Sequence, residues 1–319
     1  MLRSKTVQKL KQLVCAALVY GLATAALGAA ATCADPASTM LWEVQGAGVA
    51  QRGVSVHLLG SIHVGKADFY PLPAVVEHSF QQADTLVFEV DPNAMATPAA
   101  TLAIQQRGML PANRTLDQEL DEPTMAALRS LLQQMGLPEL MVLRMQPWMV
   151  SLTLTSLQVQ MLGYDASLGV ESYLLQRKPA AVAIAELESF DSQLALMEAL
   201  DPAVFLKYSL EDFANTTQQM EQLVNAWRCG DHAALAEVLF STRDTKAALS
   251  TADQAAIDQL MYRMFDERNA GMANRIREYL NSGKGDYFVV VGAGHLLGEG
   301  SVVDLLQQQG YQVTPVRVQ

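Results

Sequence analysis

Short apolar runs, each too brief to be a core helix, recur along this chain and restrict its fold more than any other feature. Met40 to Val44, Ser55 to Leu59, Thr85 to Val90, Ala181 to Ala185 and Tyr287 to Val291 read as strands, and Tyr311 to Val318 closes the chain as another. Runs that are apolar on both faces need cover on both sides, which places them inside a sheet packed between helices. The first two runs, separated by Gly46 to Gly53, suggest a hairpin. Pro73 to Gln82, Thr101 to Leu110, Glu122 to Gly136, Phe190 to Leu200, Pro202 to Arg228, His232 to Phe240, Ala252 to Asn281 and Ser301 to Gln309 read as helices. Pro138 to Gly163 is a long apolar helical stretch with a break expected before Pro147. The pattern predicts an α/β fold with a central mixed, largely parallel sheet flanked by helices, and helical insertions about 95–165 and 200–280. No repeat or Pro/Gly/Ser linker divides the chain, so residues 35–319 are expected to form one domain.

The first 34 residues differ from the rest. Arg3, Lys5, Lys9 and Lys11 form a basic start, and Leu13 to Ala30 is apolar or small without a charge. Small residues follow at Ala29 and Ala31, and again at Thr32 and Ala34, and either pair suits a signal peptidase. The expectation is a cleaved signal peptide and a periplasmic or secreted protein. The alternative is an uncleaved N-terminal inner-membrane anchor. Lipidation at Cys33 is disfavoured by Thr32 and Ala30 before it. Loss of the four basic residues takes the formal charge from −11 to −15. Such a balance argues against a nucleic-acid partner, and against membrane contact beyond the leading segment. Three cysteines are present. Cys15 lies in the leader and Cys33 at its edge, so no disulfide is expected. Cys229, in Trp227-Arg228-Cys229-Gly230, reads as a buried helix-end residue; only His232 is near enough in sequence to serve it as a base.

Chemistry concentrates where strands end. Val56-His57-Leu58-Leu59-Gly60-Ser61-Ile62-His63 places His63 just past the carboxyl end of its strand, the edge at which α/β sheets bind ligands. Tyr287-Phe288-Val289-Val290-Val291-Gly292-Ala293-Gly294-His295 repeats the arrangement. One Gly-x-x-His is weak and its histidine can simply cap a turn; two at matching strand ends point to a site. Glu89 ends the run Leu86-Val87-Phe88-Glu89-Val90-Asp91, where a buried carboxylate needs a counter-charge or a cation. Asp91 shares its side of the strand, with capping the competing role. Arg268 shares a helix face with Met272 and Arg275, and on spacing alone that face is solvated. Glu186 and Glu188 follow a strand and can face the same edge. Glu171 suits the start of a helix through its dipole. His57 reads as a sheet-face residue, and His78 and His232 as surface groups on helices.

Taken together the segments resemble the TraB/GumN family, which includes the Tiki metalloproteases. The resemblance rests on Leu59-Gly60-Ser61-Ile62-His63 with Tyr70-Pro71-Leu72-Pro73 downstream, and on Leu86-Val87-Phe88-Glu89-Val90-Asp91. It continues through Gln146-Pro147-Trp148, Gly169-Val170-Glu171, Leu187-Glu188-Ser189 and Trp227-Arg228-Cys229-Gly230-Asp231. It ends with Glu267-Arg268-Asn269 and Val291-Gly292-Ala293-Gly294-His295-Leu296. The family often has Asp where this chain has Glu171 and Thr where it has Ser189. The resemblance implies a fold related to haem-binding ChaN and the erythromycin esterases. It also implies a divalent-metal peptidase site built from His63, His295, Glu89 and Arg268.

The expected function is therefore an exported metal-dependent hydrolase acting on peptide bonds or a small-molecule substrate. His63, His295 and Glu89 would hold Mn²⁺, Co²⁺, Zn²⁺ or Fe²⁺. Glu89 or Glu188 would be ligand or general base, and Arg268 would stabilise developing negative charge. No His-Glu-x-x-His occurs. The alternatives are a metal-free esterase with a histidine base, and a periplasmic haem- or metal-binding protein without turnover.

Overall fold

The computed structural model describes residues 33, 35, 37–46, 53–199, 202–240, 251–282 and 285–318. The expected signal segment falls outside the described residues apart from Cys33. Among the described residues six strands form one sheet: β1 (Leu41–Gln45), β2 (Val54–Ser61), β3 (Thr85–Phe88), β4 (Ala183–Glu186), β5 (Gly285–Gly292) and β6 (Gln312–Pro315). Their spatial order is β4-β3-β5-β2-β1-β6. The β4, β3, β5 and β2 strands run parallel, whereas β1 is antiparallel to both β2 and β6. The expected mixed, largely parallel sheet is thus what the chain forms. Central β5 is buried from Phe288 through Val291, as a strand covered on both faces must be.

Among the described residues, twelve helices of seven residues or more surround it. In chain order they are α1 (Ala74–Gln82), α2 (Pro98–Arg107), α3 (Glu122–Gln134), α4 (Pro147–Met161), α5 (Val170–Arg177) and α6 (Phe190–Ala199). Then follow α7 (Pro202–Asp212), α8 (Thr216–Arg228), α9 (His232–Phe240), α10 (Thr251–Met261), α11 (Glu267–Asn281) and α12 (Val302–Gln308). Among the described residues no helix is long and apolar enough to cross a membrane. The sheet core joins residues such as Leu58, Leu86, Val289, Met272 and Trp227. Two further cores lie among the helices, around Leu116, Met125, Leu128 and Leu206, and around Ile104, Trp148, Leu194 and Leu260. The α4 helix joins both and is buried nearly all round, from Pro147 to Leu154.

Four sequence expectations change, the first being that the helix read over Pro202 to Arg228 is two, α7 and α8, joined by a 3-10 turn at Phe213–Asn215. The apolar stretch from Pro138 is not one helix: a single 3-10 turn covers Glu139–Met141, and α4 starts at Pro147, whose missing N–H is no loss at a first helical position. The long helix from Ala252 does run on to Asn281, but a π-helical turn at Tyr262–Asp266 sits between α10 and α11. Cys229 is not a free buried thiol, because it forms a disulfide with Cys33. Sequence reading missed the bond by assigning Cys33 to a discarded leader.

Candidate functional site

Register puts the strand ends level. Ser61 pairs with Gly292 across β2 and β5, while Phe88 pairs with Val290 of β5 and with Glu186 of β4. The residues just past these ends therefore share the carboxyl edge of the parallel segment. His63 lies two residues beyond β2. Glu89 directly follows β3, and Glu188 lies two beyond β4, its backbone N–H donating to Glu89 O at 2.8 Å. His295 sits in the 3-10 turn Ala293–Leu296 that follows β5. Arg268 enters from the first turn of α11, just after the π turn, and Glu171 from the first turn of α5. That α5 start comes very close to the His63 loop: a Cβ on Gly169 would lie 2.3 Å from His63 O, so only glycine fits there.

The side chains form two linked clusters. In the first, Arg268 is 7% exposed and uses all five of its N–H groups. Nε donates to both Glu188 oxygens at 3.0 Å, and Nη2 to Glu89 Oε2 at 2.6 Å and Glu188 Oε2 at 2.9 Å. Nη1 donates to Met264 O at 3.3 Å and to His295 Nε2 at 3.0 Å. His295 Nε2 is thereby an acceptor, so Nδ1 carries the proton and donates to Asn269 Oδ1 at 2.6 Å. Glu89 Oε1 accepts the Gly292 N–H at 2.6 Å, and Gln193 reaches Glu188 Oε2 at 3.2 Å. In the second cluster, His63 Nδ1 meets Glu171 Oε1 at 2.9 Å, and Ser61 Oγ donates to that same oxygen. His63 Nε2 is buried without a hydrogen-bond partner. The two clusters meet at Gly292, where a Cβ would lie 3.3 Å from Glu89 Oε1, 3.5 Å from His63 Nε2 and 3.7 Å from His295 Cδ2.

Electrostatics follow from this packing. Two carboxylates, Glu89 and Glu188, share one guanidinium, and a third, Glu171, pairs with His63. Burial would lower the His63 pKa, but the charge of Glu171, its hydrogen bond and then Glu89 raise it to about 9. Burial would raise Glu89, but Arg268 first, then His295, His63 and the Gly292 N–H, bring it to about 2. His295 is pushed down to about 3 by burial and then by Arg268, so it stays neutral.

Every expected site residue, His63, Glu89, Glu188, Arg268 and His295, is brought to this edge. The solvated face expected from the Arg268 spacing does not hold for Arg268 or Met272, both buried; Arg275 alone is exposed and pairs with Glu278. The expected oxyanion role of Arg268 does not fit its geometry, since no N–H is left for a substrate. Asp91 caps the turn at Pro92–Met95, and Glu186 accepts the Asp91 N–H at 3.0 Å. His57 lies half-buried in β2, and His78 is exposed. His232 is no surface group: it stacks on Trp42 at 4.5 Å, with Nε2 2.8 Å from Thr39 O. Sequence reasoning missed Glu171, Ser61 and Asn269 as partners of the histidines. Gly169 before Glu171 was the one available signal, marking a close backbone approach.

A divalent ion was the expected occupant. His63 Nε2 and Glu89 Oε1 face a common gap and suit one. His295, the expected third ligand, has both nitrogens engaged, and among the described residues no three His, Cys, Asp or Glu side chains are spaced to close on one ion. As arranged, the residues fit two ligands rather than three. Beyond His295 lies a cavity of about 650 Å³, lined among others by Phe240, Phe265, Asn269 and Gly294. Two of these touch His295 directly, Asn269 by its hydrogen bond and Phe265 with ring centres 5.3 Å apart.

Residues 40–315 match the profile of the TraB/PrgY/gumN family. An uncharacterized protein YbaP of Escherichia coli (strain K12) is 28% identical over 79% of this chain and 87% of its own length. A "Metalloprotease TIKI homolog" of Nematostella vectensis is 34% identical over 32% of this chain and 23% of its own length. "Metalloprotease TIKI1" of Danio rerio is 23% identical over 86% of this chain and 63% of its own. No solved structure matches the chain.

Proposed function

This chain belongs to the TraB/PrgY/gumN family, and from that premise we propose that it is an exported hydrolase of peptide bonds or of related acyl bonds in small molecules. One observation carries the reading: a buried, unpartnered imidazole nitrogen, His63 Nε2, faces Glu89 across a gap kept open by Gly292. A buried polar atom without a partner is costly in a structural role and is the expected state of a group that meets a substrate. Two relatives named as metalloproteases add support at the level of reaction class.

In this mechanism His63 is held as an imidazolium by Glu171, which leaves Nε2–H aimed into the gap. A carbonyl oxygen placed there accepts that bond, and the donor stabilises the negative charge that develops on it. Glu188 is the more exposed of the two carboxylates on Arg268, 14% against 8%. It takes the proton of the attacking water. Arg268 keeps Glu89 ionised and orients both carboxylates, and His295 fixes Arg268 from the other side.

The second reading is a metal-dependent hydrolase. It is favoured by the same nitrogen, since a cation beside His63 Nε2 and Glu89 Oε1 would balance the excess of carboxylates. The purified protein is to be assayed on peptide and ester libraries before and after exhaustive chelation, with metal content measured alongside. Turnover that survives chelation and vanishes in His63→Ala supports the first reading. Turnover restored only by Mn²⁺, Co²⁺, Zn²⁺ or Fe²⁺ supports the second. Absence of turnover under every condition, with tight metal or haem binding lost in His63→Ala, would replace both with a binding protein.

A further inference from the structure

We propose that the chain is processed between Ala31 and Thr32, and that Cys33, thereby the second residue of the mature protein, is locked to Cys229 by a disulfide made after export. The inference rests on the export part of the reading above and is independent of the hydrolase chemistry.

Two cleavage sites are open from sequence, after Ala31 and after Ala34. The disulfide decides between them. Cutting after Ala34 would separate Cys33 from the domain and leave Cys229 as an odd thiol in an oxidising compartment. Cutting after Ala31 removes Cys15 with the leader and leaves two cysteines, which are the two that are bonded. A lipid thioether at Cys33 is excluded by the same bond, because the sulfur is already committed.

The segment after Cys33 is built into the domain as a mature N-terminus would be. Val318 N–H donates to Ala37 O at 2.7 Å, and Arg317 pairs with Asp35. Ser38 Oγ donates to Gly230 O at 2.7 Å, in the turn that carries Cys229. Gly230 has φ +58°, and a Cβ on it would lie 2.5 Å from Ser38 C and Thr39 N. The turn therefore has glycine where the N-terminal segment crosses it. Trp227, two residues before Cys229, donates its indole N–H to Gly60 O at 2.8 Å, at the end of the strand that leads to His63. The bond thus ties the new N-terminus to the turn that also braces the site.

The chemistry balances as two separate steps. Hydrolysis of the Ala31–Thr32 peptide bond gives a carboxylate on Ala31 and an amine on Thr32. The two thiols then lose two protons and two electrons to a disulfide-bearing oxidase, which departs as the dithiol.

The test is the intact mass and non-reducing peptide map of full-length protein expressed with its own leader and recovered from the exported fraction. The expected result is an N-terminus at Thr32, a mass two hydrogens below the reduced form, and a cross-linked peptide pair containing Cys33 and Cys229. An N-terminus at Asp35, free thiols that alkylate without reduction, or a diacylglycerol adduct on Cys33 would each overturn the proposal while leaving export intact. Intact Met1 in that fraction would overturn the cleavage in favour of the uncleaved anchor. In Cys229→Ser the N-terminus should stay at Thr32, with the Cys33 thiol becoming open to alkylation; protection of Cys33 in that variant counts against the pairing.

Discussion

Arg268 engages its whole donor set, so its removal strands two carboxylates and a histidine lone pair at once. Arg268→Met is expected to cost about 3–5 kcal/mol in urea unfolding, the range for breaking a buried ion pair by removing one partner. Arg268→Lys should recover little of it, because a point-charge ammonium cannot bond both carboxylates and His295 together. At His63 the raised pKa has a named cause, and Glu171→Gln should bring the imidazole midpoint, followed by NMR, down from about 9 toward the ordinary 6.5. A midpoint left near 9 would count against the pair. The pH dependence of stability follows with opposite signs. The contribution of His63 is complete below about 6.5 and is lost as pH rises through about 9. That of Glu89 is complete above 4.5 and is lost as pH falls toward about 2. His295 stays neutral to about 3, so below 6.5 the unfolded chain gains a proton that the folded chain does not. Urea midpoints should be highest near 6.5, fall from there to about 9 as the His63 contribution is lost and fall again toward acid, and Glu171→Gln should weaken the alkaline fall. The histidines and Glu89 were legible because each ends an apolar run. Arg268 and Glu171 were less so, because spacing along a helix does not reveal which neighbour lies across from it.

At the level of elements, Gly292 offers a variant that fills the site without dismantling it. Its φ of −51° admits alanine, and the nearest atoms to a new Cβ, at 3.3 to 3.7 Å, are those of the site itself. Gly292→Ala should change the unfolding midpoint little and abolish turnover or ligand binding. Retained activity would move the reacting centre elsewhere. Gly169→Ala is the contrast, with backbone of the His63 loop at 2.3 Å, and should lose stability and activity together. Strands were legible from short apolar runs bounded by glycine. The π turn at Tyr262–Asp266 was not, since the apolar spacing of α10 and α11 continues across it. The start of α4 at Pro147 was foreseen as a break, but not that the residues before it would form only a 3-10 turn and loop.

For the whole molecule, the Cys33–Cys229 bond closes a loop spanning 196 positions. Reduction, or Cys229→Ser, is expected to lower stability by about 2–5 kcal/mol, read as a lower urea midpoint in reductant. An unchanged midpoint would show that the noncovalent contacts of Asp35 and of residues 37–42 suffice. The layered architecture was legible from the alternation of strands and helices. The two cores among the helices were not, because α4 is apolar on all sides and its sequence alone does not say which neighbours divide its surface. The parallel register has one more consequence. The carboxyl edge is keyed by three adjoining strands, whose pairings set the spacing of His63, Glu89 and His295 whatever lies between them in sequence. From the helical segment about 200–280, Phe265, Arg268 and Asn269 reach that edge. Lengthening the loops of that segment leaves the strand pairing untouched, so a chain of this design is free to change what reaches that edge as long as α11 still delivers Arg268 and Asn269 to it.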